Sequence, residues 1–107
     1  MLKGEIQDAV RDVVDGIVKH ADPERIVLFG SAALDPSGTV NDLDFLVVVR
    51  DSRTPAAVMD TLNLNIRHKP MPCDFLVVTP SILRQHEGDS GSIYSVALRE
   101  GREVYAR

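Results

Sequence analysis

Short apolar runs alternating with helix-period segments predict an α/β (α+β) fold, a small mixed β-sheet with helices packed against it. Three runs carry the strand signal: Ile26-Val27-Leu28-Phe29, Phe45-Leu46-Val47-Val48-Val49 and Phe75-Leu76-Val77-Val78. Each has strand length and is bounded by turn-forming residues. The helical signal is clearest at the start, where Ile6, Val10, Val13, Val14 and Ile17 recur at helical spacing.

The elements follow in order. Lys3 to His20 reads as an amphipathic helix, with Asp8, Asp12, Asp15 and Lys19 on its polar side. Asp22-Pro23 separates it from a buried strand, Arg25 to Phe29. Gly30-Ser31 leads into a short helical turn, Ala32-Ala33-Leu34, and Asp35-Pro36-Ser37-Gly38 is turn chemistry. A second strand spans Asp42 to Arg50. Leu46 and Val48 continue the side of its two aspartates, so both faces of this strand beyond the carboxylates are expected to be covered.

Thr54-Pro55 marks a helix start, with Thr54 as cap and Pro55 in the first helical position. That helix carries Ala57, Met59, Leu62, Leu64 and Ile66 and frays near Arg67-His68-Lys69. After Pro70 and Pro72 comes a third strand, Cys73 to Val78, and Thr79-Pro80-Ser81 opens a short helix. Gly88 to Gly91 is a polar loop. Ser92 to Arg99 reads as a helix with Ile93, Val96 and Ala97 on its apolar side, and Arg102 to Tyr105 as a weak last strand.

At 107 residues the chain suits a single domain with one core. An apolar fraction of 44% with 26% charged residues is that of an ordinary globular domain. A formal net charge of −4 argues against an extended nucleic-acid footprint, which needs basic residues. The lone cysteine, Cys73, excludes an internal disulfide and suits a reducing, cytoplasmic compartment. No apolar run approaches the roughly 20 residues that span a bilayer, so no membrane partner is expected.

The chemistry concentrates in three places. A Gly-Ser at the end of an apolar run, Gly30-Ser31, can offer backbone N–H groups and a hydroxyl to phosphate. Asp42 and Asp44, at i and i+2 on entry to a strand, point to one face because the side-chain period of a strand is two. Asp74 holds the equivalent place before the third strand, so neighbouring strands would bring the three carboxylates to one edge. Such a cluster suits Mg²⁺, held by carboxylates and substrate phosphates, or a two-metal site for in-line displacement. Other chemistries find less support. His20, His68 and His86 lack ligand spacing for zinc, and no Gly-x-x-x-x-Gly-Lys-Ser/Thr loop is present.

Gly30-Ser31, ten intervening residues, Asp42-Leu43-Asp44 and a separate Asp74 before a strand resemble the DNA polymerase beta-like nucleotidyltransferase superfamily. The closest likeness is to its minimal nucleotidyltransferase (MNT) branch, single-domain proteins of about this size. The resemblance implies the nucleotidyltransferase fold, with Gly30 and Ser31 on the β- and γ-phosphates of a nucleoside triphosphate. It makes Asp42, Asp44 and Asp74 the catalytic and metal-binding residues, with two Mg²⁺ ions and ATP as donor. Asp74 would also activate the acceptor hydroxyl.

Many of the minimal proteins are antitoxins of a HEPN-domain ribonuclease toxin, and some attach AMP to a tyrosine of that toxin. A HEPN toxin is therefore the implied partner and a protein hydroxyl the implied acceptor; association with a second copy stays open. Where the family often reads Gly-Ser-Arg-Ala-Arg-Gly, this chain reads Gly30-Ser31-Ala32-Ala33-Leu34-Asp35. Arg50, Arg53, Arg67 and Lys69 are the cations that could replace the missing arginines. A second implied function is a non-catalytic module of the same fold that covers the toxin.

Overall fold

The computed structural model describes residues 3–34, 42–66 and 71–107. Its elements run α1 (Lys3–Ala21), β1 (Arg25–Phe29), α2 (Ser31–Leu34), β2 (Leu43–Val48), α3 (Pro55–Asn65), β3 (Cys73–Val78), α4 (Pro80–Gln85), α5 (Ile93–Glu100) and β4 (Arg102–Ala106). The strands form one mixed sheet in the order β3-β2-β1-β4. β1 pairs antiparallel with both β2 and β4, whereas β2 and β3 run parallel. The expected α+β architecture, helices on a small mixed sheet, is the one observed. The turn expected at Asp35-Pro36-Ser37-Gly38, and Arg67, His68, Lys69 and Pro70, lie outside the described residues.

The alternation of each strand divides the core in two. On one side Leu43, Phe45, Val47 and Val49 join Ile26, Leu28, Phe75 and Val77 beneath α1 and α3. On the other, Leu46 and Val48 join Val27 and Val78 beneath α4 and α5, with Ala97 at the centre of that layer. From Phe45 to Val49 every residue of β2 and its extension is at most 4% exposed. A strand apolar on both faces needs cover on both, and the parallel β2–α3–β3 crossover supplies one of the two layers. Phe45 and Phe75 stack with ring centres 6.1 Å apart.

Helix phases depart from expectation in two places. In α3 the buried residues are Val58 and Leu62, with Met59 and Ile66 packed beside them, while Ala57 and Leu64 face solvent. Positions 58, 59, 62 and 66 share one helical stripe; 57 and 64 do not. Thr54 occupies the cap position, but its side chain makes no cap hydrogen bond. In α5, Ile93 is 54% exposed, and Tyr94, Ala97 and Leu98 supply the inward stripe. β2 is shorter than the expected Asp42–Arg50, although Val49 still donates to the Val78 carbonyl at 2.9 Å.

Caps and close approaches fix the lower layer. The Thr79 hydroxyl accepts from the Ile82 N–H at the start of α4, and Ser92 accepts from the Ser95 N–H at the start of α5. Gly101, between α5 and β4, comes so near β1 that a Cβ there would meet the Leu28 carbonyl at 2.9 Å, besides the Ala97 carbonyl and Val27. Two of those three neighbours are backbone and cannot rotate away. Gly101→Ala is therefore expected to lower the unfolding free energy by about 1–3 kcal/mol, the usual cost of overpacking, measured by urea denaturation.

Candidate metal centre

Register builds the site. Phe29 on β1 lies opposite Asp44 on β2, and Asp44 lies opposite Asp74 on β3. The three residues form one cross-strand row on the face covered farther along by α4 and α5. Asp42, immediately before β2, shares that face by the period of two. One carboxylate oxygen from each of Asp42, Asp44 and Asp74 lies within 4.8 Å of the other two. Asp42 and Asp44 are half-buried and Asp74 is exposed.

Gly30 closes the row from the side of β1. Its φ is +76°, a left-handed conformation open to glycine and strained for a residue with a side chain. A Cβ at this position would also collide with Oδ2 of Asp44. Gly30 is thus demanded twice, by its backbone and by the carboxylate it borders. Ser31 is the first residue of α2; its hydroxyl lies outside what the structure describes.

The electrostatics follow from this crowding. The Asp44 pKa is raised from 3.8 to about 6. Burial is the largest cause, followed by the charges of Asp42 and Asp74 and a side-chain hydrogen bond with Asp74. The apolar next row, Val27, Leu46 and Leu76, accounts for the burial. Among the described residues the ion pairs lie elsewhere: Arg25 with Glu103, Arg84 with Asp51, and Arg50 and Arg107 with Asp22.

Arg50 and Arg53 do not take the place of the absent arginines. Arg50 follows the far end of β2, and Arg53 donates to the Ala21 carbonyl at 2.9 Å, at the end of the sheet opposite Asp44. Cys73, beside Asp74, is buried, and its thiol contacts the Met71 carbonyl. Sequence reasoning named all three carboxylates but missed Phe29 as their neighbour in the row. It also missed the steric lock between Gly30 and Asp44. The antiparallel register of β1 with β2 was the missing information for both.

The donor set fits a hard cation. All three groups are oxygen ligands, the chemistry Mg²⁺ prefers, and opposite corners of its octahedron stand about 4.2 Å apart. The three oxygens, within 4.8 Å of one another, are near enough for side-chain adjustment to bring them onto one such ion.

Two outcomes follow for the protein itself. Because the folded pKa of Asp44 lies above its unfolded value, this group's contribution to stability is fully present below pH 3.8 and is lost as pH rises through about 6. Solvent screening of a half-buried carboxylate holds the effect to about 1 kcal/mol, a few degrees of melting temperature. Asp44→Asn should therefore raise the metal-free melting temperature at neutral pH by that amount and flatten its rise on acidification, read by thermal melts in chelator. Gly30→Ala should lower the melting temperature in chelator, because the left-handed backbone and the Asp44 carboxylate leave no room for a methyl group; an unchanged melting temperature would disprove the steric link.

No protein-family model matches this chain, and no curated protein or solved structure matches it either.

Proposed function

We propose that this protein is a Mg²⁺-dependent nucleotidyltransferase that moves a nucleoside monophosphate, AMP from ATP, to a hydroxyl of a partner protein. The observation that carries this reading is the row in which Asp44 and Asp74 stand side by side, with Asp42 within reach and left-handed Gly30 against them. Like charges this close repel unless something neutralises them, and a site of this kind uses a divalent cation for that purpose. When bound, Mg²⁺ supplies charge neutralisation for the phosphates and orients the in-line displacement.

The chain's own residues would divide the remaining work. Gly30 and Ser31 take the β- and γ-phosphates at the end of β1. Asp42 and Asp44 hold the cation from β2. Asp74, the exposed member, accepts the proton of the attacking hydroxyl as its oxygen bonds to the α-phosphorus and the bond to the leaving pyrophosphate breaks. Positioning and electrostatic stabilisation then account for most of the acceleration.

The motif order resembles that of the minimal nucleotidyltransferases, so the partner we infer is a HEPN-domain toxin, silenced in the cytoplasm by modification of a tyrosine. No helix among the described residues is long and apolar enough to cross a membrane, which agrees with a partner away from the bilayer.

One observation favours a second reading, a non-catalytic module that covers the toxin. Ala32, where family members often carry arginine, is only 2% exposed and packs into the core. A long cation at that place would not fit this short helix. The phosphates would then depend on backbone and metal alone.

The two readings separate in one experiment. Calorimetric titration with ATP, GTP, CTP and UTP, with and without Mg²⁺, is expected to show metal-dependent binding of one nucleotide. Asp42→Asn should abolish that binding and lower label transfer from the α-phosphate to a co-expressed toxin by about 100-fold or more. Absence of binding at millimolar nucleotide would count against a nucleotide site in the isolated chain and favour the non-catalytic reading.

A further inference from the structure

The sheet leaves β4 at one edge, where residues of α1 and β4 face a common groove of about 400 Å³. Val10 and Val14 of α1 and Val104 and Tyr105 of β4 supply its apolar lining; Val104 and Tyr105 are half-buried. Arg11, Asp15 and Arg102 form the charged rim, and all three are exposed.

An edge strand invites another strand, but β4 is defended against that. Its register with β1 is broken by a bulge between Ile26 and Val27. It opens with Arg102 and Glu103, and Glu103 is engaged by Arg25 at 2.7 Å. Short, bulged, charged edges resist sheet extension. The groove beside the strand carries no such defence.

We propose that this groove is a homodimer interface, occupied by α1 of a second copy packed antiparallel across a two-fold axis. The charges select this occupant. On α1, Arg11 and Asp15 stand one turn apart on the wall of the groove, so a two-fold axis passing near Val13 sets Arg11 of each copy against Asp15 of the other. A two-fold interface uses the same patch twice; here that patch is self-complementary, and each favourable pair forms twice.

The interface lies on the α1 side of the sheet, whereas Asp42, Asp44 and Asp74 belong to the α4 and α5 side. Dimerisation therefore leaves both acidic sites open. This inference stands apart from the proposed activity: it needs neither metal nor nucleotide, and its test reads mass alone.

The test is sedimentation equilibrium of the intact chain from about micromolar to submillimolar concentration, the range in which modest interfaces reveal themselves. The parent protein should dimerise. Arg11→Asp and Asp15→Arg should each weaken dimerisation about tenfold or more, by placing like charges opposite twice, and the double reversal should restore it to within about threefold. Both side chains are exposed, so circular dichroism will confirm that the variants are folded. A protein monomeric throughout, single reversals without effect, or a double reversal that fails to recover would each overturn the assignment.

Discussion

Parallel pairing of β2 with β3 is the constraint on which the structure turns. It joins Leu43 through Val48 to Cys73 through Val78 in unbroken register, and so sets Asp44 beside Asp74. The pairing is held by burial on both faces: Phe45 and Val47 sink beneath α1 and α3, Leu46 and Val48 beneath α4 and α5. A slip of one residue would turn all four to the wrong layer. The hydrophobic drive that fixes register thus also forces carboxylates together that would otherwise separate. The repulsion is tolerated because it falls at the strand entrance, where the core ends and solvent begins.

The two sides of the sheet serve different ends. The α1–α3 side holds the larger apolar cluster, with Phe45 and Phe75 stacked at its heart. The α4–α5 side is thinner, begins with caps at Thr79 and Ser92, and its fully buried residues end at the row of Val27 and Leu46. In the next row only Phe29 packs against that layer, and Asp44 and Asp74 keep part of their surface in solvent. Gly101 ends α5 against Val27 and Leu28 of β1 and sends the chain into β4.

Much of this was legible in the sequence. β1 and β3 begin and end where their apolar runs and breakers place them, and the stripe of Ile6, Val10, Val13, Val14 and Ile17 is buried as its spacing requires. The three aspartates were legible as candidates, but their convergence depended on β2 and β3 being neighbours, which no local signal specifies. The phase of α3 was not legible, because its apolar residues at 57, 58, 59, 62 and 64 surround the helix and fit more than one orientation. Leu64 and Ile93 are apolar yet exposed for the same reason: composition names what could be buried, and only the packed sheet decides what is. Gly30 read as half of a phosphate-binding Gly-Ser, whereas its closest constraint is a carboxylate on the next strand.

The central position of β2 has a consequence for the protein's lifetime. Local opening begins at frayed ends and sparsely packed segments, while the strands buried on both faces open only with the whole molecule. Two of the three carboxylates ride on, or directly abut, that most protected strand. Weakening the fold anywhere will therefore reduce how many molecules are present well before it loosens the geometry in those that remain. Degradation, not gradual distortion, becomes the route by which damage to this protein is felt.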